Sequence, residues 1–190
     1  MASINENFKE LLKRIKQGRE YTHASFEPIY YLIFPPADIL PVKRELPAWI
    51  AKLQIEGWDV QVFSVTEQIL DLLQNAKLRQ LWLAADQKAP QDWGKTNQAL
   101  ANYLSKGALQ ERVEEKLAAL EGKEHALLLI TDLEALHPYL RIGAIEAQLQ
   151  GKFTVTTVLL YPGERTGKTR LKFLGFYPED GNYRSVHVGG

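Results

Sequence analysis

The chain has 190 residues, of which 45% are apolar, and its 23 Lys and Arg residues balance 23 Asp and Glu residues. This length suits one domain with a sizeable core, because domains typically run to about 100–200 residues. The formal net charge of zero disfavours a dedicated nucleic-acid-binding domain. The absence of Cys excludes disulfides, thiolate nucleophiles and Cys-bound metals.

The N-terminal sequence lacks the apolar segment of a secretory signal peptide. The longest apolar runs, such as residues 29–34, are far shorter than the roughly 20 residues that cross a bilayer. The sequence therefore predicts a cytoplasmic protein without a membrane segment.

The first predicted element is an amphipathic helix over residues 4–17. Ser3 followed by Glu6 matches a capping box, and apolar residues then recur at helical spacing up to Ile15. We expect Gly18 to end this helix.

Four short runs rich in β-branched and aromatic residues predict buried strands. They cover residues 28–34, 58–65, 125–131 and 153–160. Helical patterns separate them, and Pro47 and Pro138 are each placed in the first turn of a helix, where a missing N–H costs least. These helices are predicted around residues 46–57, at residues 66–74 and from residue 138 onward.

Residues 76–123 are mostly helical by pattern and are interpreted as a helical insertion. After the fourth strand we expect a loop at residues 161–169 and two closing strands joined by a turn at Glu179 to Gly181. The alternation of strands and helices predicts one α/β domain over residues 1–190. Its mostly parallel central sheet should be flanked by helices, with short antiparallel strands at the C-terminal edge.

The segment Pro162 to Arg170 resembles a phosphate-binding loop, but its spacing is wrong. Only three residues separate Gly163 from Gly167, whereas the motif requires four, and the residues that follow indicate a strand instead of a helix. We therefore expect a topology like that of P-loop NTPases without a functional phosphate loop. Four basic residues against Glu164 still give this loop a net charge of +3. Anion binding, partner binding and a solvated hairpin all remain open.

The candidate binding residues come mainly from that loop. They are Gly163, Glu164, Arg165, Thr166, Gly167, Lys168 and Arg170, together with Arg141 from an earlier segment. Arg141 is placed three residues into a helix, aimed at the sheet edge where α/β folds bind ligands, or else in an ion pair with Glu134 or Glu146.

The apolar run ending at Asp132 resembles the strand that positions Mg²⁺ in nucleotide hydrolases. Because the phosphate loop is missing, we interpret Asp132 as the cap of the next helix. Glu134 and His137 have the spacing of a carboxylate–His metal site, but the sequence has no second such pair. No nucleophilic Ser motif is present. The sequence therefore predicts no cofactor, no metal and no catalytic residues.

Several stretches that together span most of the chain resemble one family. They are FKELLKRI at 8–15, IYYLIFPP at 29–36, HPYLR at 137–141, YPGERTG at 161–167, LKFLG at 171–175 and Asn182-Tyr183-Arg184. In this order they resemble BrxB, a small component of the BREX systems by which bacteria resist bacteriophage. The Pro-Gly-Glu-x-Thr-Gly element is the most specific part. The chain departs from the family pattern after the third strand, where it has Asp132 and Leu133 and a glycine is expected, and at residues 142–144, where more polar residues are expected.

The resemblance implies a cytosolic, non-enzymatic subunit that acts beside a phosphatase-fold protein of the PglZ type, a DNA methyltransferase and a large ATPase. We therefore expect an assembly or adaptor protein, which docks its partner through the loop 163–170 or through the acidic helix around residues 111–121. The alternative is an enzyme or nucleotide sensor that uses Asp132, Arg141 and Lys168. A nucleic-acid binder acting through the basic loop ranks last. Formation of a homo-oligomer is left open.

Overall fold

The computed structural model describes residues 3–20, 27–167, 170–181 and 185–190, which form seven α-helices and seven strands. The helices are α1 (Ile4–Glu20), α2 (Ile39–Ile55), α3 (Val65–Gln74), α4 (Arg79–Lys88), α5 (Trp93–Leu104), α6 (Ala108–Leu120) and α7 (Ile142–Gln148). The strands are β1 (Ile29–Phe34), β2 (Asp59–Ser64), β3 (Ala126–Thr131), β4 (Thr156–Thr166), β5 (Arg170–Phe173), β6 (Glu179–Gly181) and β7 (Val186–Gly189). Short 3₁₀ turns lie at Pro36–Asp38, Pro90–Asp92 and Leu133–Leu136.

Five strands form a parallel sheet in the order β2-β3-β4-β1-β7. Strand β5 pairs antiparallel with the far end of β4, and β6 pairs antiparallel with β5. This architecture confirms the predicted α/β class with its mostly parallel sheet. The likeness to a P-loop topology stays a prediction.

Helices cover both faces of the sheet because the central strands are apolar on both sides. In β1, Tyr31 and Ile33 join the core beneath α3, α6 and α7, while Tyr30 and Leu32 join the core beneath α1 and α2. Every residue of β1 and β3 is buried. Since each large apolar side chain contributes about 1.5–3 kcal/mol when buried, these two strands anchor the domain.

The capping box that begins α1 is confirmed. The backbone N–H of Ser3 donates to Glu6 Oε2 at 2.7 Å, and the N–H of Glu6 donates to Ser3 Oγ at 3.2 Å. The predicted end at Gly18 is wrong, because α1 continues to Glu20. A Cβ at Gly18 would lie 2.0 Å from the hydroxyl of Tyr30, so this glycine makes room for the neighbouring strand.

Two expected helix starts also differ in the structure. Helix α2 begins at Ile39, directly after the turn Pro36–Asp38, so Pro47 lies in the helix interior and not in its first turn. Helix α7 begins only at Ile142, so Pro138 does not open it. In neither place does proline mark the first turn of the helix.

The C-terminal region departs most from the prediction. Strand β4 continues through Thr166, so the expected loop at 161–169 is a β-hairpin arm up to that residue. Residues Glu179–Gly181 form β6 instead of a turn. Strand β7 lies parallel to β1 and not antiparallel at the edge. Only the pairing of β7 with β1 joins residues distant in sequence, and local patterns do not report such a pairing.

Helices α4, α5 and α6 occupy the region between α3 and β3. In the described part of the chain, no helix is both long and apolar enough to cross a bilayer.

Candidate functional site

Most of the predicted binding loop lies in the hairpin of β4 and β5. Gly163 pairs with Phe173 and Thr166 with Arg170, and a Cβ at Gly163 would lie only 2.5 Å from the carbonyl oxygen of Lys172. The glycine is therefore needed for close pairing of two strands. Since this segment is paired as a strand, its amides do not converge on one point as in a phosphate-binding nest.

The charged residues of the hairpin are mostly exposed. Arg170 donates to Glu179 on the neighbouring strand at 3.2 Å, and Glu164 lies opposite Lys172 in the ladder. Gly167 has a positive φ of 69° at the turn. The predicted residue Lys168 lies outside the described residues, as do Asn182, Tyr183 and Arg184. Of the predicted loop residues, Gly163, Glu164, Arg165, Thr166 and Arg170 therefore lie in paired strands.

Asp132 does not cap the following turn, so that prediction is wrong. It has a left-handed backbone with φ of 60°, and its side chain makes no capping hydrogen bond. Its carboxylate accepts instead from the hydroxyls of Ser64 at 2.7 Å and Thr131 at 2.8 Å. Lys43 Nζ lies 2.8 Å from the other oxygen. The Asp132 carboxylate therefore links the end of β2, through Ser64, to the end of β3, through Thr131.

Lys43 links α2 to the same sheet edge. Its ammonium also forms an ion pair with Glu134 at 2.6 Å. Burial disfavours the charged form of Asp132, but hydrogen bonds from Lys43, Ser64 and Thr131 outweigh burial and lower the pKa of its carboxyl. We name Lys43, Ser64, Asp132 and Glu134 the edge cluster. Its charges are paired with one another.

Sequence reasoning missed Lys43, because it lies within a helix and belongs to no motif. The proximity of Ser64 and Asp132 was partly predictable from the sequence. Each lies where a predicted strand ends, and neighbouring parallel strands end at the same edge of a sheet. Among the residues that the structure describes, no group of three or more His, Asp or Glu residues is arranged to hold a metal ion.

Arg141 lies just before α7 and not within it. Its guanidinium lies 5.0 Å above the ring of Tyr177, and its Nη1 lies 3.8 Å from Asp180 Oδ1. The expected ion pairs with Glu134 or Glu146 are wrong: Glu134 pairs with Lys43, and Glu146 accepts from the hydroxyl of Tyr31. Within the described ranges, Arg141 and Asp132 therefore have separate partners.

Aromatic residues surround Arg141. His137 Nδ1 lies 2.5 Å from the hydroxyl of Tyr177, and the ring of Phe176 stacks on Tyr177 at 4.8 Å. Phe176 is 62% exposed. This group joins the turn before α7 to the end of β5, and no sequence motif indicated that these segments meet.

A second exposed feature lies on the helices between β2 and β3. Helix α4 contains no buried residue, and several large apolar side chains are exposed on α3, α4 and α5 and the turns beside them. They are Leu70, Leu78, Leu81, Leu83 and Trp93, which we call the apolar surface. Leu81 and Trp93 are each 66% exposed.

The acidic helix of the prediction is α6. Its Glu114 forms an ion pair with Lys152, and Arg112 on the same helix binds Asp71 of α3. Val113 and Leu117 face the core. Ion pairs therefore neutralise part of this acidic face.

Comparison with known families matches residues 61–188 to the family described as "BREX protein BrxB". This range is more than half of the chain. The chain belongs to the BrxB family. The matched range runs from within β2 to within β7. It includes Ser64, Asp132, Arg141 and the hairpin, but Lys43 lies before it. Neither a curated protein nor a solved structure matches the chain.

Membership of the BrxB family makes this chain a component of BREX bacteriophage defence. It confirms the resemblance drawn from the sequence, of which the Pro-Gly-Glu-x-Thr-Gly element in β4 was the most specific part. Other BREX proteins are therefore the candidate partners of this chain.

Proposed function

We propose that this BrxB chain is a non-enzymatic assembly or adaptor subunit of a BREX complex, and that it binds a phosphatase-fold partner of the PglZ type. Family membership supports the part of this proposal that places the chain in a BREX system. The observation that carries the adaptor role is the apolar surface. Five large exposed apolar side chains lie between residues 70 and 93, and contiguous patches of such side chains mark protein-binding sites, whereas singly scattered ones are ordinary.

The apolar surface has the composition of an interface centre. Trp93 is the residue type most enriched among binding hot spots, and the leucines of α4 lie near it in sequence. Helix α4 contacts α5 through the ring of Trp82, which lies 5.4 Å from that of Tyr103, and through Asp86, which accepts a hydrogen bond from Thr96. Burying Leu81 or Trp93 against a partner would contribute about 1.5–3 kcal/mol each.

The edge cluster supports a non-enzymatic role. Lys43 engages both Asp132 and Glu134, and Ser64 donates to Asp132. These ion pairs and hydrogen bonds join α2, β2 and β3. A catalytic set that uses Asp132 with Arg141 would need both side chains at one place, but the two have separate partners.

The test is binding to the phosphatase-fold protein encoded in the same BREX system, measured by calorimetry with the purified full-length proteins. Leu81→Glu and Trp93→Glu should each weaken binding at least tenfold. The matched control is Ile55→Glu, which adds the same charge at a residue that is 86% exposed on α2. The control should bind like the wild type.

Charge reversal of Arg165, Lys168 and Arg170 examines the hairpin as a second docking surface. Unchanged binding would remove the hairpin from the proposal, and unchanged binding of Leu81→Glu and Trp93→Glu would remove the apolar surface. Calorimetry with ATP and GTP, with and without Mg²⁺, addresses the enzymatic alternative. The proposal predicts no saturable binding of either nucleotide.

A further inference from the structure

A cavity of about 190 Å³ opens between α7 and the strands β4, β5 and β6. Neither the edge cluster nor the apolar surface contributes to it. Its polar wall consists of Glu27, Tyr31, Glu146, Gln150, Tyr161 and Asp180. Apolar residues such as Ile142 and Leu171 complete the wall. The cavity thus combines an apolar body with acidic and phenolic groups.

Tyr161 is the residue that marks this cavity as a binding site. It is only 2% exposed, and its ring is held edge-on by Tyr31 at 5.5 Å and against Phe173 at 5.5 Å. Its hydroxyl has no hydrogen-bond partner among the described residues. Because Tyr161 lines the cavity, a hydroxyl without a protein partner is available to a group that enters the cavity.

The surroundings of the Tyr161 hydroxyl are acidic. Burial raises the pKa of the Tyr161 phenol, and the charges of Asp180 and Glu146 raise it further, while Arg141 opposes them. Tyr161 and both carboxylates line the same cavity. A neutral phenol oxygen beside carboxylates is an acceptor for a cationic donor.

The three carboxylates of the wall differ in their partners. Glu27 accepts from the backbone N–H of Gly151, and Glu146 accepts from the hydroxyl of Tyr31. Asp180 has Arg141 at 3.8 Å, which is beyond hydrogen-bond distance. Asp180 is therefore the carboxylate best placed to bind a cation that enters the cavity. Tyr31 and Tyr161 add aromatic faces, which attract cations.

We propose that this cavity binds an alkyl-ammonium or guanidinium group, with Asp180 and Tyr161 as its acceptors. Pockets for drug-sized ligands usually measure about 300–1,000 Å³, so a cavity of about 190 Å³ suits a smaller group. The acidic wall disfavours phosphate. The cation is either a free amine or guanidine, or the side chain of a Lys or Arg residue on a partner protein.

Arg141 shows that the chain already places a cation of this kind beside Asp180. Its guanidinium rests on the ring of Tyr177 while it faces Asp180. It therefore competes with an incoming cation for the same carboxylate. Removing its charge should strengthen binding, and this direction is opposite to that expected of a merely structural residue.

The test uses agmatine, a guanidine with a four-carbon amine chain, and calorimetry on the full-length chain at low salt. Saturable binding is expected, while the neutral 1-pentanol and the anionic glutarate should not bind. Asp180→Asn should weaken agmatine binding by about tenfold, because a charge-assisted hydrogen bond is lost. Tyr161→Phe should weaken it about two- to tenfold, and Arg141→Gln should strengthen it.

The matched control is Glu179→Gln, the same kind of charge removal one residue earlier on β6. Glu179 does not line the cavity and instead binds Arg170. Its variant should bind agmatine like the wild type. Absence of saturable binding by the wild type, or equal losses in Asp180→Asn and Glu179→Gln, overturns the proposal. Circular dichroism checks that each variant is folded, and Tyr161→Phe keeps the ring that packs in the core.

A second arm identifies the source of the cation. The capped tripeptide acetyl-Gly-Arg-Gly-amide presents the same guanidinium on a peptide backbone. Tighter binding of the tripeptide indicates a partner's side chain, and tighter binding of agmatine indicates a free ligand. If neither probe binds, the cavity is not a cation site. None of these results depends on whether the apolar surface binds a phosphatase-fold partner.

Discussion

Asp132 offers the sharpest test of how the edge cluster holds the sheet. Changing it to Ala and to Gly removes the same three interactions, with Ser64, Thr131 and Lys43. The two variants differ in one respect, since Gly adopts a φ of 60° freely and Ala does not. The difference between them therefore measures the backbone conformation apart from the carboxylate.

The magnitudes follow from the contacts. A hydrogen bond to a charged group contributes about 1.5–3 kcal/mol, but the side chain of Lys43 is 44% exposed, so its ion pair is screened and contributes less. Asp132→Gly should lower the free energy of unfolding by about 2–3 kcal/mol. Asp132→Ala should lower it by about 1 kcal/mol more, because Ala is strained at positive φ.

Urea unfolding followed by circular dichroism measures both variants against the wild type. An Ala variant that is as stable as the Gly variant, or more stable, would refute the assigned role of the backbone. Losses below about 0.5 kcal/mol in both variants would refute the role of the carboxylate.

The pH dependence provides an independent check on the same residue. The pKa of Asp132 is lowered in the folded protein, so the charged carboxylate stabilises the fold above the ordinary Asp pKa of about 4. This stabilisation is lost as the pH falls through the lower folded pKa. Asp132→Asn should therefore be less stable than the wild type at pH 7, and the difference should shrink toward pH 2.

Three further substitutions test the fold by urea unfolding. Gly163→Ala should lower the free energy of unfolding by about 1–3 kcal/mol, because its Cβ would lie 2.5 Å from the carbonyl oxygen of Lys172. Gly94→Ala is the matched change in α5, where a Cβ meets nothing within 4 Å, and it should raise stability by about 0.5 kcal/mol. Ser3→Ala removes the acceptor for the Glu6 N–H and should cost about 1 kcal/mol. Equal effects of the two Gly→Ala changes would contradict the close packing at Gly163.

The parts of the fold that the sequence predicted well are those in which local pattern and tertiary packing agree. The strands β1 and β3 are short uninterrupted apolar runs, and both are buried along their whole length. The capping box at Ser3 needs only neighbouring residues, so it too was predictable. These elements were enough to predict the α/β class.

Predictions failed where pairing or packing with another segment overrides a local preference. Gly18 lies inside α1, and the hydroxyl of Tyr30 occupies the space that a Cβ there would need, so packing explains this glycine and it does not mark a helix end. Strand β4 extends through Thr166 because β5 pairs with it. The position of Lys43 beside Asp132 depends on packing of α2 against the sheet, which no spacing in the sequence encodes.

The departure from the family pattern at Asp132 now has a physical reason. The residue after β3 has a φ of 60°, a conformation that glycine adopts most easily and that Asp tolerates better than most residues. A glycine expected there fits the same backbone. In this chain Asp keeps the turn and adds the carboxylate that Lys43 and Ser64 bind.

The proposed assembly role depends on binding through the apolar surface. The most direct measurement is size-exclusion chromatography with light scattering on a mixture of the chain and the phosphatase-fold protein of its own BREX system. The account predicts one peak with the summed mass for the wild type and for Ile55→Glu, and separate peaks for Trp93→Glu. Separate peaks for the wild type would contradict the adaptor role, and a stable complex with Trp93→Glu would contradict the assigned surface.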